Sequence, residues 1–344
     1  MADIINTGPT TLADYAALVQ DSDVSRKFLI QTIRDYSGLF DQMCLLPGND
    51  GTGCKGQIIT DYPEAESVGF NEGWGSGHVS GRAVRYDSTR CRISSDVDCD
   101  LYNTRPPAER ANYRLRKDKA FMRGLARQVA KKVFHGDRKS GMLGLYDIVN
   151  GKANTEFSEQ VLRGSSTSTT ANCFDIWLIN SDEEGCFFFF PEHGSDEEGK
   201  QKDKSTAGVW IEPIPGKQRI EKNGKHYYAY VTEMGFDIGV AIFDPRRVVR
   251  IANIDSTTLT TSGTTGDNLV SLMTTASDML EDINPGKCAF FCNDTVHTML
   301  RQQINERVKN SLTFETVAGR KVITFDGIPV HKMGRDVLPM SKKI

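Results

Sequence analysis

PPAERANYRLRKDKAFMRGLARQVAKKVFHGDRK, residues 106–139, reads as one long helix around which the rest of the chain is arranged. Pro106 and Pro107 suit a helix start, because a first-turn residue needs no amide donor, and Gly136 suits the position just past the end. Phe121, Leu125, Val129 and Val133 fall four apart and share one stripe. Lys119, Arg123, Arg127 and Lys131 also fall four apart, offset by two residues; at about 100° per residue this places them roughly on the opposite side. The plain reading is an amphipathic helix with a solvated basic face. The alternative is a basic face turned to a polyanion, and the helix alone leaves both open.

The 344 residues suffice for about two domains, and 38% hydrophobic residues supply real cores. No run approaches the roughly 18 apolar residues of a membrane helix, and MADIINTGPTTL lacks the basic and apolar regions of a secretory signal. The expectation is a protein made and kept in the cytosol, without a membrane partner. With a net charge of −3, any nucleic-acid role has to be local. Eight cysteines are spread over the chain outside a secretory context, so free thiols are expected. Cys288 and Cys292 in KCAFFC, if on a strand, share a face where small thiols pack well, and no metal site is expected there.

Residues 1–50 read as an arm with short helices: Thr11 caps LADYAALV with Asp14 three residues on, and an amphipathic run extends from Val24 to Asp35. After LLPGNDGTG, strand-like ends at Ile58–Tyr62 and Ala83–Val97 flank a polar middle with Gly73, Gly75, Gly77 and Gly81. That hairpin has too few apolar residues for a core of its own, so it is expected to rest on something else. GSGHVSG does not open a helix after a buried strand, which argues against a dinucleotide fingerprint. Asp96, Asp98 and Asp100 alternate as in a calcium loop, but Leu101 and Pro107 stand at its sixth and twelfth positions, so that geometry fails.

From Cys173 the chain turns β-rich. CFDIWLIN and CFFFF flank SDEEG, which has the polarity and glycine of a hairpin turn. The same five letters open the charged insert Ser195–Ala207, expected to be exposed or disordered. Asn223-Gly224 suits a type I′ turn before the long aromatic and β-branched run that follows. A helix over Asp267–Ile283, the KCAFFC strand, a helix capped by Asn293, and strands at Lys321–Phe325 and Ile328–Lys332 complete an α+β class.

None of the six histidines stands in a metal-ligand spacing such as HExxH, and there is neither a GxSxG elbow nor a GxxxxGK[ST] loop. No catalytic, cofactor-binding or metal residue is expected. A cytosolic hydrolase with a dispersed Ser, His and Asp site is the competing reading from a different class, since such triads are recognised by geometry.

The order of parts resembles the HK97-type fold of the major capsid proteins of tailed bacteriophages, podophages in particular. VAKKVFHGDRKSGMLGLYDIVNG resembles the family's exit from the spine helix through an aromatic-x-Gly-Asp segment. CFDIWLIN, GVWIEPI, the Tyr227–Asp244 strands and DPRRVVRIANID resemble its later strands, and the likeness runs from about Thr10 to Leu338.

The resemblance implies an N-arm (1–52), an extended-loop hairpin (53–100), a peripheral domain with the spine helix (101–144), an axial domain interleaved with peripheral strands (145–320), and C-terminal strands and tail (321–344). It implies no enzyme activity and no cofactor, but self-assembly in the host cytoplasm into hexamers and pentamers of an icosahedral virion shell around double-stranded DNA. Scaffolding and portal proteins are the implied partners, with room for a decoration protein. An encapsulin-like compartment of the same fold is the near alternative. Tyr62, Phe70, Trp74 and Tyr86 become candidate intersubunit anchors, with local packing in the hairpin as the alternative. Lys119, Arg123, Arg127 and Lys131 become candidates for sequence-independent phosphate contact, or for salt bridges to a neighbouring subunit.

Overall fold

The structure is a computed structural model. It describes residues 11–19, 24–36, 38–61, 63–77, 79–137, 139, 141–150, 155–164, 173–191, 207–255, 259, 268–280, 287–307, 312–317 and 320–340. The charged insert Ser195–Ala207 lies, apart from Ala207, outside the described residues, as does Tyr62.

The chain runs through α1 (Leu12–Leu18), α2 (Val24–Tyr36), α3 (Leu39–Gln42), β1 (Leu45–Pro47), β2 (Gly53–Asp61), β3 (Ser80–Asp87), β4 (Thr89–Asp98), α4 (Cys99–Asn103), α5 (Pro107–His135) and α6 (Leu145–Ile148). It continues through β5 (Val161–Arg163), β6 (Cys173–Asn180), β7 (Cys186–Phe190), β8 (Val209–Pro213), β9 (Gln218–Lys222), β10 (Lys225–Ile242) and β11 (Val248–Asp255). The last elements are α7 (Leu269–Asp278), β12 (Cys288–Asn293), α8 (Asp294–Arg307), β13 (Leu312–Val317), β14 (Arg320–Phe325) and β15 (Ile328–Met333).

The long helix predicted from the sequence is α5, with Pro106 as N-cap and Gly136 as C-cap. Leu125, Val129 and Val133 of its apolar stripe are buried together with Met122, Ala126, Ala130 and Phe134, and Phe121 is half-buried. One flank of the helix lies on β4 and β10, and α2 packs along it as well. Leu29, Ile30, Ile33, Leu39 and Phe40 of the N-terminal helices enter the same core as α5. Amphipathic helices this short cannot stand alone in water, and here their apolar faces are covered by their own chain.

The first sheet runs β1-β7-β10-β4, with β8 and β9 also paired to β10. β10 is antiparallel to β4 along Ala229–Ile238, while β9, β8 and β7 take successive lengths of its other edge. Asn223 and Gly224 both have positive φ (54° and 73°), as the type I′ turn between β9 and β10 requires.

The second sheet runs β13-β14-β15-β12-β6-β11-β5. Its strands alternate with a period of two. Phe174, Ile176 and Leu178 of β6, and Cys288, Phe290 and Cys292 of β12, join one core with Leu269, Met273, Val296 and Leu300 of α7 and α8. Trp177, Ile179, Ala289 and Phe291, one residue over, join the core that holds α5. Cys288 and Cys292 therefore share a face, and all eight cysteines are free thiols.

Two expectations are corrected. β6 and β7 do not form a hairpin across SDEEG: β6 pairs with β11 and β12, and β7 with β1 and β10, in separate sheets. Both strands are buried along their whole length, so each takes its neighbours within a covered sheet, and the turn serves as a crossover between layers. Asp182 Oδ1 accepts from Gly185 N and Cys186 N to shape that crossover. Nor is Ala83–Val97 one strand: it breaks at Ser88, β3 closing the hairpin with β2 and β4 leaving it for β10.

Candidate assembly surfaces

The hairpin formed by β2 and β3 is fixed at its root. Cys54, Ile58 and Tyr86 are buried. The Tyr86 hydroxyl donates to Ile242 O at 2.7 Å, and its ring meets Phe243 edge-on with centroids 5.7 Å apart. Gly56 lets the Phe243 ring lie on the hairpin backbone, in space a Cβ would occupy. Asp50 accepts from Lys55 Nζ at 2.7 Å and Arg85 Nε at 2.6 Å, which hold its carboxyl below the usual carboxylate range. Arg82 pairs with Glu156 at 2.9 Å.

The tip, residues 63–77, is exposed throughout. Its shape is held from within: Gly69 N donates to Glu72 Oε2 and Gly75 N to Glu66 Oε2, each at 3.0 Å. Asn71 adopts φ 67°, a left-handed conformation that asparagine tolerates. Its large apolar side chains are left outside: Phe70 is 102% and Trp74 80% exposed, with Val68 and Val79 nearby in sequence. Of the aromatic residues singled out from sequence, Phe70 and Trp74 stand free, whereas Tyr86, 8% exposed, packs within its own chain.

The basic stripe of α5 divides similarly. Lys119 Nζ lies 4.5 Å from the Phe28 ring centroid on α2, and Arg127 Nη2 pairs with Asp336 Oδ2 at 2.6 Å. Arg123 and Lys131 are exposed. A second cationic surface, not singled out from sequence, sits at the start of α5. Arg105 and Lys117 stack on Tyr113 at 5.2 and 5.9 Å, and Arg110 on Tyr102 at 5.7 Å. The signal was there: Arg110, Tyr113 and Lys117 are spaced three and four apart, so they meet on one helix face.

Where α5 ends, it meets the second sheet at an ion pair buried between β6 and β11. Arg250 Nη2 reaches Asp175 Oδ2 at 2.7 Å and Nη1 donates to Val149 O at 3.1 Å, while the guanidinium lies 4.4 Å from the Tyr146 ring centroid. His135, the last residue of α5, stacks on Tyr146 at 4.4 Å and bonds Val337 O through Nε2 at 3.0 Å. The helix end, α6, β6, β11 and the C-terminal segment are thereby tied at one point. Among the described residues, no group of three or more His, Cys, Asp or Glu could hold a metal ion.

A family model described as major capsid protein GP7 matches residues 22–338. The chain belongs to the GP7 family of major capsid proteins. It is thus a structural protein of a phage head shell, with the HK97-type fold. A chain in the structure of bacteriophage epsilon15 superposes with a TM-score of 0.62 at 24% identity, covering 88% of this chain and 88% of that one. The bacteriophage JBD30 capsid gives a TM-score of 0.49 at 8% identity, covering 86% and 90%. An encapsulin complex from Synechococcus elongatus gives 0.38 at 11% identity, covering 63% and 87%, too loose to bear on function. No curated protein matches by sequence.

Proposed function

We propose that copies of this chain associate as hexamers and pentamers into a closed icosahedral head around double-stranded DNA. The hairpin of each copy acts as a clasp on its neighbour. What supports the clasp is the contrast between a root tied to Ile242, Phe243 and Asp50 and a tip that carries Phe70 and Trp74 in the open. Large aromatics held outward on a shaped loop are costly to leave in water and are the residues that dominate interface energies. Assembly in the host cytoplasm with scaffolding and portal proteins, and a decoration protein on the finished head, goes with this reading.

Arg123 and Lys131, exposed on α5, are the cations we assign to the packaged phosphate backbone, since sequence-independent binding asks for charge and not for base contacts. Deleting Glu66–Gly81 tests the clasp. The expected result is a chain that folds but yields no stable particles by negative-stain microscopy; particles of unchanged abundance and stability would refute it.

A further inference from the structure

Apart from Met340, the large hydrophobic side chains left exposed among the described residues fall in two places. Val68, Phe70, Trp74 and Val79 belong to the tip of the β2–β3 hairpin. Leu101 on α4 and Tyr228 on β10 lie at the end of the first sheet where α5 begins. There the ring centroids of Tyr102 and Tyr230 are 4.9 Å apart, and Tyr228 shares the Tyr230 face of its strand. The register sets Arg219 of β9 directly opposite Tyr228.

The two places carry opposite charge. Residues 63–77 hold Glu64, Glu66 and Glu72 and neither lysine nor arginine. At the start of α5, Arg105 and Lys117 lie over Tyr113 and Arg110 over Tyr102. Among the described residues, none of these three cations pairs with a carboxylate. Arg110 donates only to backbone oxygens, Arg105 O at 3.0 Å and Asn103 O at 3.1 Å, so its guanidinium is held in place without being neutralised. Glu109, exposed in the first turn of α5, offsets part of the charge and leaves the surface basic.

We propose, on the footing that the hairpin is a clasp, that the start of α5 with α4 and the adjoining end of β10 is the receptor for the hairpin tip of a second copy of this chain. The glutamates of the tip meet the unpaired cations, while Phe70 and Trp74 gain cover from Leu101 and Tyr228. Duplex DNA would satisfy the cations alone and leave the apolar side chains of both patches in water. Tip and receptor are different patches of one chain, so each copy offers one of each. Such head-to-tail contacts close into a ring where the rotation between copies allows it, which a hexamer or pentamer requires.

p-Benzoylphenylalanine in place of Phe70, irradiated in particles assembled from isotope-labelled and unlabelled copies, tests this by mapping the crosslinked peptides. The expected products join two copies and fall within residues 99–117 or 218–230. Products between copies that fall elsewhere overturn the receptor and leave the clasp standing; products confined to one copy, or none, overturn both. In parallel, Arg105→Glu with Lys117→Glu, whose side chains make no hydrogen bond among the described residues, is expected to raise the chain concentration needed for assembly by about ten-fold. Adding Glu64→Lys should recover part of that loss, since opposite charges then face each other again. Losses that simply add, or no loss from the receptor pair, overturn the proposal. So does normal assembly with less DNA retained, which assigns the surface to phosphate. Thermal melting of the unassembled chain checks that the variants fold, and should the receptor pair fail to fold, the crosslink map decides the matter.

Discussion

Arg250 and Asp175 form an ion pair inside the protein, Nη2 to Oδ2 at 2.7 Å, with 2% and 1% of their side chains exposed. Each comes from a different strand of the second sheet, and the guanidinium lies against Tyr146 and Trp177. Removing one member leaves the other charge buried without a counter-charge. Arg250→Met alone is expected to cost about 3–5 kcal/mol, and pairing it with Asp175→Leu should cost much less. Denaturant unfolding of both variants measures this, and additive losses would show that the two residues are not coupled.

At the hairpin, the root and the tip should separate in their effects. Trp74→Ser and Phe70→Ser leave intrachain packing untouched and are expected to weaken particles by about 2 kcal/mol or more per subunit contact, without lowering the stability of the unassembled chain. Tyr86→Phe should do the reverse, costing the chain about 1 kcal/mol by leaving Ile242 O without its donor. Equal effects of Trp74→Ser on the free chain and on the particle would contradict the clasp.

Charge reversal separates the two kinds of cation on α5. Arg123→Glu with Lys131→Glu is expected to reduce the DNA retained per particle while shells still form, the deficit against the wild type being largest at low salt and shrinking as salt rises. Arg127→Glu breaks the contact with Asp336 and should lower stability by no more than about 1 kcal/mol, as exposed pairs do. Shell formation abolished by the Arg123 and Lys131 changes would point to intersubunit salt bridges instead.

Three histidines set an acid limit. Burial is the leading cause that lowers the pKa of His135, His297 and His331 from the usual 6.5. Their folded forms are neutral, so the associated stability is complete above about pH 6.5 and is lost as pH falls through the lowered values. His331 stacks on Phe291, its ring crowds Gly38, and its Nε2 is buried without a partner. His331→Phe is expected to reduce the drop in Tm between pH 8 and pH 5, and an unchanged drop would exclude this histidine as a contributor.

The sequence by itself determined those features whose causes are local. The 3.6-residue stripe and the Pro and Gly ends defined α5 to within a residue or two. The Asn-Gly pair defined the turn before β10, and alternation placed Cys288 and Cys292 on one face. The order of segments carried the family.

Only the tertiary structure decided which strands became neighbours and which exposed-looking residues were engaged. CFDIWLIN and CFFFF are apolar on both faces, so no alternation showed which sheet each would join, and proximity in sequence suggested a hairpin that does not form. Tyr86 and Trp74 read alike in a polar hairpin; what separates them is that Phe243 and Ile242, more than 150 residues on, reach one and not the other. Likewise, the four cations of α5 have identical spacing. Phe28 and Asp336, brought from opposite ends of the chain, engage Lys119 and Arg127 and leave Arg123 and Lys131 to solvent. Local periodicity fixes where a side chain points, but its partner is set by long-range packing, which a single helix or strand does not encode.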